Sequence, residues 1–206
     1  MAKEGKGIIR HVPNALTVGR LVLTVIFLGM ILYTPKLGEE HPSNFLLVTF
    51  ILFVVTGVTD IVDGKIARAF NVTSKFGRIV DPLADKFLVC GAFLCFAIVG
   101  QPQMYQLQIP LHIMNILRWS AVVIIIAREL LVTIIRHIAE AKGVNFAATV
   151  SGKLKMFLQS FTLGAILMGW AYVEGEWGDW FKIQLYLLML ASTIISGFRA
   201  VRRSTK

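Results

Sequence analysis

Apolar residues fall along this chain in long blocks, divided by short polar stretches, and charged positions inside the blocks are rare. Six blocks stand out, at about Leu16–Tyr33, Asn44–Asp60, Ile79–Gly100, His112–Thr133, Met156–Val173 and Phe181–Gly197. A helix of about 20 apolar residues crosses the roughly 30 Å of hydrocarbon in a bilayer and satisfies its own backbone hydrogen bonds on the way. The pattern therefore predicts an all-α membrane protein with six transmembrane helices. No room remains for a separate soluble domain, so residues 1–206 are read as a single membrane domain. Residues 1–14 form its polar, basic N-terminal segment at the cytoplasmic interface. There Ile8, Ile9 and Val12, set among Arg10 and His11, fit either a short interfacial helix or an extended arm. No small-residue cleavage pattern accompanies the first block, which reads as a retained span rather than a signal peptide.

Composition agrees with this reading. Hydrophobic residues make up 56% of the chain and charged residues only 16%, and the mean hydropathy is +0.70. A soluble domain of this size needs more charge on its surface. The net charge of +9 raises the question of nucleic acid, and its placement answers it. With both termini cytoplasmic, 18 of the 21 Lys and Arg lie on the inner side, and Lys36, Arg118 and Lys182 alone lie outside. That asymmetry sets the orientation by the positive-inside rule. It also suits anionic headgroups and phosphorylated substrates, so no nucleic-acid partner is expected. Cys90 and Cys95, five apart on one predicted helix, suit core packing better than a disulfide.

The distribution of aspartate carries the chemistry. Of the five in the chain, Asp60, Asp63, Asp81 and Asp85 fall within 26 consecutive residues, at the ends of two apolar helices. Ionisable groups are costly there and are usually functional. At 100° per residue, Asp60, Asp63, Gly64, Ala67 and Arg68 share one helix face, and Gly77, Asp81 and Asp85 share another. The polar segment Phe70–Phe76 turns the chain so that the two faces can oppose each other. Four carboxylates in one cleft need cations to stay ionised. Hard oxygen donors of this kind suit two Mg²⁺ ions, or Mn²⁺, and such a pair clamps a diphosphate. Gly64 and Ala67 leave space for a nucleotide base, and Arg68 supplies a cation for phosphate oxygens. Taken singly, the acids read as caps or surface charges and the small residues as close helix packing. Their joint register favours the metal site. Pro82, between two of the acids, marks either a helix start near Asp81 or a kink.

These residues carry a resemblance. Asp60-x-x-Asp63-Gly64-x-x-Ala67-Arg68, eight residues, then Gly77-x-x-x-Asp81-x-x-x-Asp85 matches every fixed position of the CDP-alcohol phosphatidyltransferase signature. Within that family the chain is most similar to bacterial phosphatidylglycerophosphate synthases. Supporting stretches are Val12-Pro13-Asn14-Ala15-Leu16-Thr17 with Arg20, Asp81-Pro82-Leu83-Ala84-Asp85-Lys86, and Ala127-Arg128-Glu129 with Arg136 and Gly152-Lys153-Leu154-Lys155. They run to about Gln159, and the last span adds little. Val25 and Met156 depart from the subfamily's usual proline and threonine.

The resemblance implies a six-helix fold, a homodimer, and a polar cavity open to the cytoplasmic face of a bacterial inner membrane. It implies that Asp60, Asp63 and Asp81 hold the metals, with Asp85 near the second ion. Pro13, Asn14, Thr17, Gly64, Ala67, Arg68, Ser74 and Gly77 would line the site for CDP-diacylglycerol. The implied reaction joins the 1-hydroxyl of sn-glycerol 3-phosphate to the β-phosphorus of that lipid, with Asp85 as general base. Arg128, Arg136, Lys153 and Lys155 are expected to converge on the acceptor's phosphate. The rival for Lys153 and Lys155 is an anchoring role at lipid headgroups. Another acceptor (inositol phosphate, serine or phosphatidylglycerol) would keep the same signature. A divalent-cation transporter would need polar residues through the outer halves of the acidic helices, and these show none. His11, His41, His112 and His137 have no ligand spacing. Glu39, Glu40, Glu174, Glu176 and Asp179 are expected to be solvated in outer loops, and Trp170, Trp177 and Trp180 to form an aromatic belt.

Overall fold

The computed structural model describes residues 4–34, 42–69, 75–104, 106–142, 150–173 and 175–204. Within these, side chains at 4–16, 42, 60–69, 75–82, 85, 140, 150 and 204 are outside the description. Six helices follow one another: α1 (Glu4–Tyr33), α2 (Pro42–Ala69), α3 (Lys75–Val99), α4 (Leu111–Ala141), α5 (Val150–Tyr172) and α6 (Glu176–Ser204). Among the described residues there is no strand. The all-α expectation holds, and each apolar block falls in a helix of its own.

Each helix outruns its apolar block, and furthest at the end where basic residues cluster. α1 begins at Glu4 rather than near Leu16, α2 continues past Asp60 to Ala69, and α4 continues past Thr133 to Ala141. Hydropathy marks only the part of a helix that hydrocarbon must solvate, whereas the i→i−4 ladder continues into polar surroundings unopposed. Residues 8–14 are therefore helical, as the first turns of α1. α3 starts at Lys75 and runs through Pro82, so positions 81 and 85 lie in its second and third turns rather than at its start. Lys75 and Phe76 belong to α3, and the rest of the expected polar turn, 70–74, is outside the described residues.

The outward faces of these helices are apolar. Leu111, Val123, Phe157 and Phe198 are 70%, 64%, 64% and 73% exposed. On α4, Ile113, Ile116, Val123, Leu130, Ile134 and Ile138 are all exposed at helical spacing, while Met114, Arg118, Ala121, Val122, Ile125 and Val132 are buried. A continuous apolar outer face, with charge such as Arg118 kept inside, is the arrangement hydrocarbon solvates and water does not. Ser151–Tyr172 and Glu176–Arg203 are each long and apolar enough to cross a membrane by themselves, and Thr17–Tyr33, Ser43–Thr59 and Lys86–Val99 are shorter apolar stretches. The chain is a membrane protein.

Contacts gather into two compact units, Met1–Ala92 and Phe93–Lys206. In the first, α1 and α2 pair antiparallel. Phe27 stacks on Phe53 at 5.5 Å and Tyr33 meets Phe45 at 6.2 Å. The buried stripes also carry Thr24, Thr49 and Thr56, whose hydroxyls donate to the carbonyls of Arg20, Phe45 and Leu52 at 2.7–2.8 Å. Satisfied by their own helix, these hydroxyls cost little to bury. Gly91 lets α3 approach α1, since a Cβ there would stand 2.8 Å from Leu28 Cδ1.

In the second unit α6 packs against both α4 and α5, over a core that includes Ile125, Leu163, Leu167 and Met189. Phe93 meets Tyr186 edge-on at 6.3 Å. A polar network closes the end of this unit away from the basic clusters. Arg118 donates through Nε and Nη2 to the Pro102 carbonyl at 3.1 and 2.7 Å, and through Nη1 to Asn115 at 2.8 Å. Asp179, expected to be solvated, is instead only 4% exposed. Its carboxylate pairs with Lys182 Nζ at 2.6 Å and accepts the Gln106 N–H at 2.9 Å, while Lys182 also donates to Gln103 O at 3.1 Å. In sequence Asp179 looks like one more loop acid, but the first turn of α6 turns it onto the α3–α4 connection. Asp179→Ala should cost about 3–5 kcal/mol, because it strands a buried ammonium. Thermal unfolding in detergent should show a large drop in Tm, with much of it regained in Asp179→Ala/Lys182→Met.

Candidate functional site

The signature occupies backbone that is helical throughout. α2 carries Asp60, Asp63, Gly64, Ala67 and Arg68 in its closing turns, and α3 carries Gly77, Asp81 and Asp85 in its first three. Relative positions 0, 3, 4, 7 and 8 on an unbroken helix share a face, as do positions 0, 4 and 8. These side chains, with those of Pro13 and Asn14, are outside the described residues, as is Ser74 altogether. Of the residues expected around the nucleotide lipid, Thr17 is described, and it is buried on the inner stripe of α1. One turn on, Arg20 is 2% exposed. Sequence reasoning counted Arg20 among the inner basic residues and within a supporting motif, without giving it a place in the site. Its spacing from Thr17 and Thr24, three and four residues, is the signal that puts it on the buried stripe.

The second unit holds a described cluster of charges. The interior stripe of α4 reaches Arg128 and Glu129, each side chain 12% exposed. From α5 comes Lys155, 3% exposed, and from α6 comes Ser196. Arg128 Nη1 donates to Glu129 Oε1 at 2.9 Å, and Lys155 Nζ donates to the same oxygen. Arg128 Nε donates to Ser196 Oγ at 2.9 Å. Among the described residues two cations share one carboxylate, an excess of one positive charge that is held in place and partly open, which suits a phosphate. One turn along α5, Gln159 is buried and reaches Thr193 of α6 at 3.4 Å.

The four cations expected to converge divide into two pairs. Arg128 and Lys155 meet through Glu129. Arg136 and Lys153 are exposed and make no ion pair among the described residues. Helical geometry explains the division. Lys153 and Lys155 are 200° apart on α5, so one faces the interior and the other faces outward. Arg136 lies two turns beyond Arg128, nearer the end of α4. The burial of Lys155 also bears on the headgroup-anchor reading, which fits exposed Lys153 and not its neighbour. Sequence reasoning missed Ser196, Gln159 and Thr193, because small polar residues in an apolar helix look like packing. Their only trace is the run Ser192, Thr193, Ser196, Gly197 in an otherwise apolar stretch.

Comparison with known proteins identifies the family. Residues 10–196 match the family model for CDP-alcohol phosphatidyltransferase. A Mycobacterium tuberculosis protein named as a probable phosphatidylglycerophosphate synthase is 32% identical over 164 residues, covering 80% of this chain and 69% of that protein. A Bacillus subtilis CDP-diacylglycerol–glycerol-3-phosphate 3-phosphatidyltransferase is also 32% identical, covering 77% of each chain. The Haemophilus influenzae protein of the same name is 29% identical over 188 residues, 90% of this chain and 87% of its own length. With a match from the second half of α1's first turns almost to the end of α6, and the full acidic signature inside it, the chain belongs to the CDP-alcohol phosphatidyltransferase family.

Proposed function

We propose that this protein transfers the phosphatidyl group of CDP-diacylglycerol to sn-glycerol 3-phosphate, giving phosphatidylglycerophosphate and CMP. The observation that carries the reading is the complete acidic signature on two continuous helices, in a chain whose relatives from three bacteria are named for this product or this transfer. The Arg128–Glu129–Lys155 cluster adds a cationic site and favours a phosphorylated acceptor over serine.

Asp60, Asp63, Asp81 and Asp85 would hold two Mg²⁺ ions, with Mn²⁺ as the alternative. The donor set fits, being carboxylate oxygen throughout. When bound, the ions screen the diphosphate and stabilise the charge that develops on departing CMP. The chain's own residues do the rest. Pro13, Asn14, Thr17, Gly64, Ala67, Arg68, Ser74 and Gly77 bind and orient CDP-diacylglycerol. Arg128 and Lys155 draw the acceptor's phosphate, and exposed Arg136 and Lys153 attract it from solution. Asp85 takes the proton of the 1-hydroxyl as that oxygen bonds to the β-phosphorus and the bond to the α-phosphate oxygen breaks. On this reading both termini and the site lie on the cytoplasmic side of a bacterial inner membrane, an orientation that the basic clusters support, with six spans and a homodimeric assembly as the family resemblance implies.

Asp85→Asn should lower turnover at least about 100-fold, the usual contribution of a general base, while CDP-diacylglycerol still binds. Retained turnover removes Asp85 as the base. The substrate assignment is checked with purified protein in detergent, Mg²⁺ and CDP-diacylglycerol, reading CMP release against a panel of acceptors. Glycerol 3-phosphate should give the highest kcat/KM, and a higher value for inositol phosphate, serine or phosphatidylglycerol reassigns the acceptor. Chelation should abolish CMP release, and Mg²⁺ or Mn²⁺ should restore it.

A further inference from the structure

Arg128 is held from two sides by two different helices. Its neighbour Glu129 takes Nη1 at 2.9 Å, and Ser196 on α6 takes Nε at 2.9 Å. The Ser196 hydroxyl donates in turn to Thr193 O at 3.3 Å, so its proton points away and a lone pair faces the guanidinium. Gly197 follows, and a Cβ there would stand 3.4 Å from Arg128 Cγ. The arginine stem thus lies against bare α6 backbone.

A guanidinium is planar, and two anchors on different nitrogens fix both its position and its plane. Among the described residues Nη2 carries no hydrogen bond, so both of its N–H groups, with the second one on Nη1, are left to meet an anion. We infer that Ser196 is a positioning residue for the acceptor, holding Arg128 so that Nη2 is presented to the acceptor's phosphate before it arrives. The inference rests on the reading of Arg128 as a phosphate ligand given above. An arginine with this many rotatable bonds must otherwise be ordered at the moment of binding, which weakens affinity. Glu129 alone leaves the plane free to turn about a single contact. α6 thereby contributes to acceptor recognition through a residue that never touches the acceptor.

The experiment is a four-protein cycle: wild type, Ser196→Ala, Arg128→Lys and the double variant, each assayed for CMP release against both substrates. Ser196→Ala should raise KM for sn-glycerol 3-phosphate about three- to tenfold, the scale of one lost hydrogen bond to a charged group, and leave KM for CDP-diacylglycerol unchanged. In the Arg128→Lys background, which has no Nε to hold, the same substitution should change neither constant. Ser196→Cys keeps the side-chain size and supplies only a weak acceptor. It should shift KM in the same direction, and it carries the test if the alanine variant folds poorly. A Ser196→Ala effect that persists beside Arg128→Lys, or that falls equally on both substrates, assigns Ser196 a purely structural role and overturns the inference. If Arg128→Lys itself leaves the acceptor KM unmoved, the phosphate-ligand reading fails and the inference falls with it.

Discussion

Hydrocarbon cannot solvate an ion, and a charge carried into a helix bundle must find its counter-charge and hydrogen bonds inside the protein. The second unit obeys this constraint at both of its ends. Toward one end Asp179 answers Lys182 while Arg118 is capped by a backbone carbonyl and Asn115. Toward the other, one Glu129 oxygen serves both Arg128 and Lys155. The two ends carry the same formal balance among the described residues, two cations to one carboxylate, and differ in how the hydrogen bonds are met. At the first, Arg118 is tied through a backbone carbonyl to the α3–α4 connection, as a closed end should be. At the second, Arg128 keeps a guanidinium edge with no partner among the described residues, which an anion entering the site would complete.

Much of the fold could be read from the chain, for a plain physical reason. Six helices must each present apolar side chains to lipid, so the blocks announce them. Their ends could not be read the same way, because the backbone ladder carries on where hydropathy stops, and α1 and α2 illustrate this at Glu4 and Ala69. Pro82 was ambiguous in sequence because a proline is as much at home in a first turn as it is disruptive in a later one. Only the backbone shows that α3 begins at Lys75.

The acidic half of the candidate site was readable as a pattern, with its side chains outside the described residues, and the cationic half was opaque. Carboxylates in register with small residues over 26 positions are rare enough in apolar helices to be seen directly. The cationic half depended on which way each side chain faces. Lys153 and Lys155 look equivalent in sequence, yet the helix sends them to opposite sides. Asp179 looked like a loop acid because α6 begins before its apolar block, so Lys182 at i+3 was not read as a helix neighbour, and Gln106 comes from a connection 73 residues away. Ser196 gave no sign beyond a short polar run, since a serine is ordinary in a membrane helix and its contact is with a residue 68 positions away in sequence.

The overrun of the helices past their apolar blocks has a mechanical consequence. From Asp60 to Ala69, α2 climbs about 13 Å, comparable to or deeper than the zone of lipid headgroups. The acidic signature begins where the hydrophobic run ends and continues up this protruding stretch. A lipid substrate is itself divided at the same depth, with tails below and a charged nucleotide above. Under the proposed function such a ledge would meet the nucleotide at its native height, and the lipid would not need to be hoisted out of its leaflet to be processed.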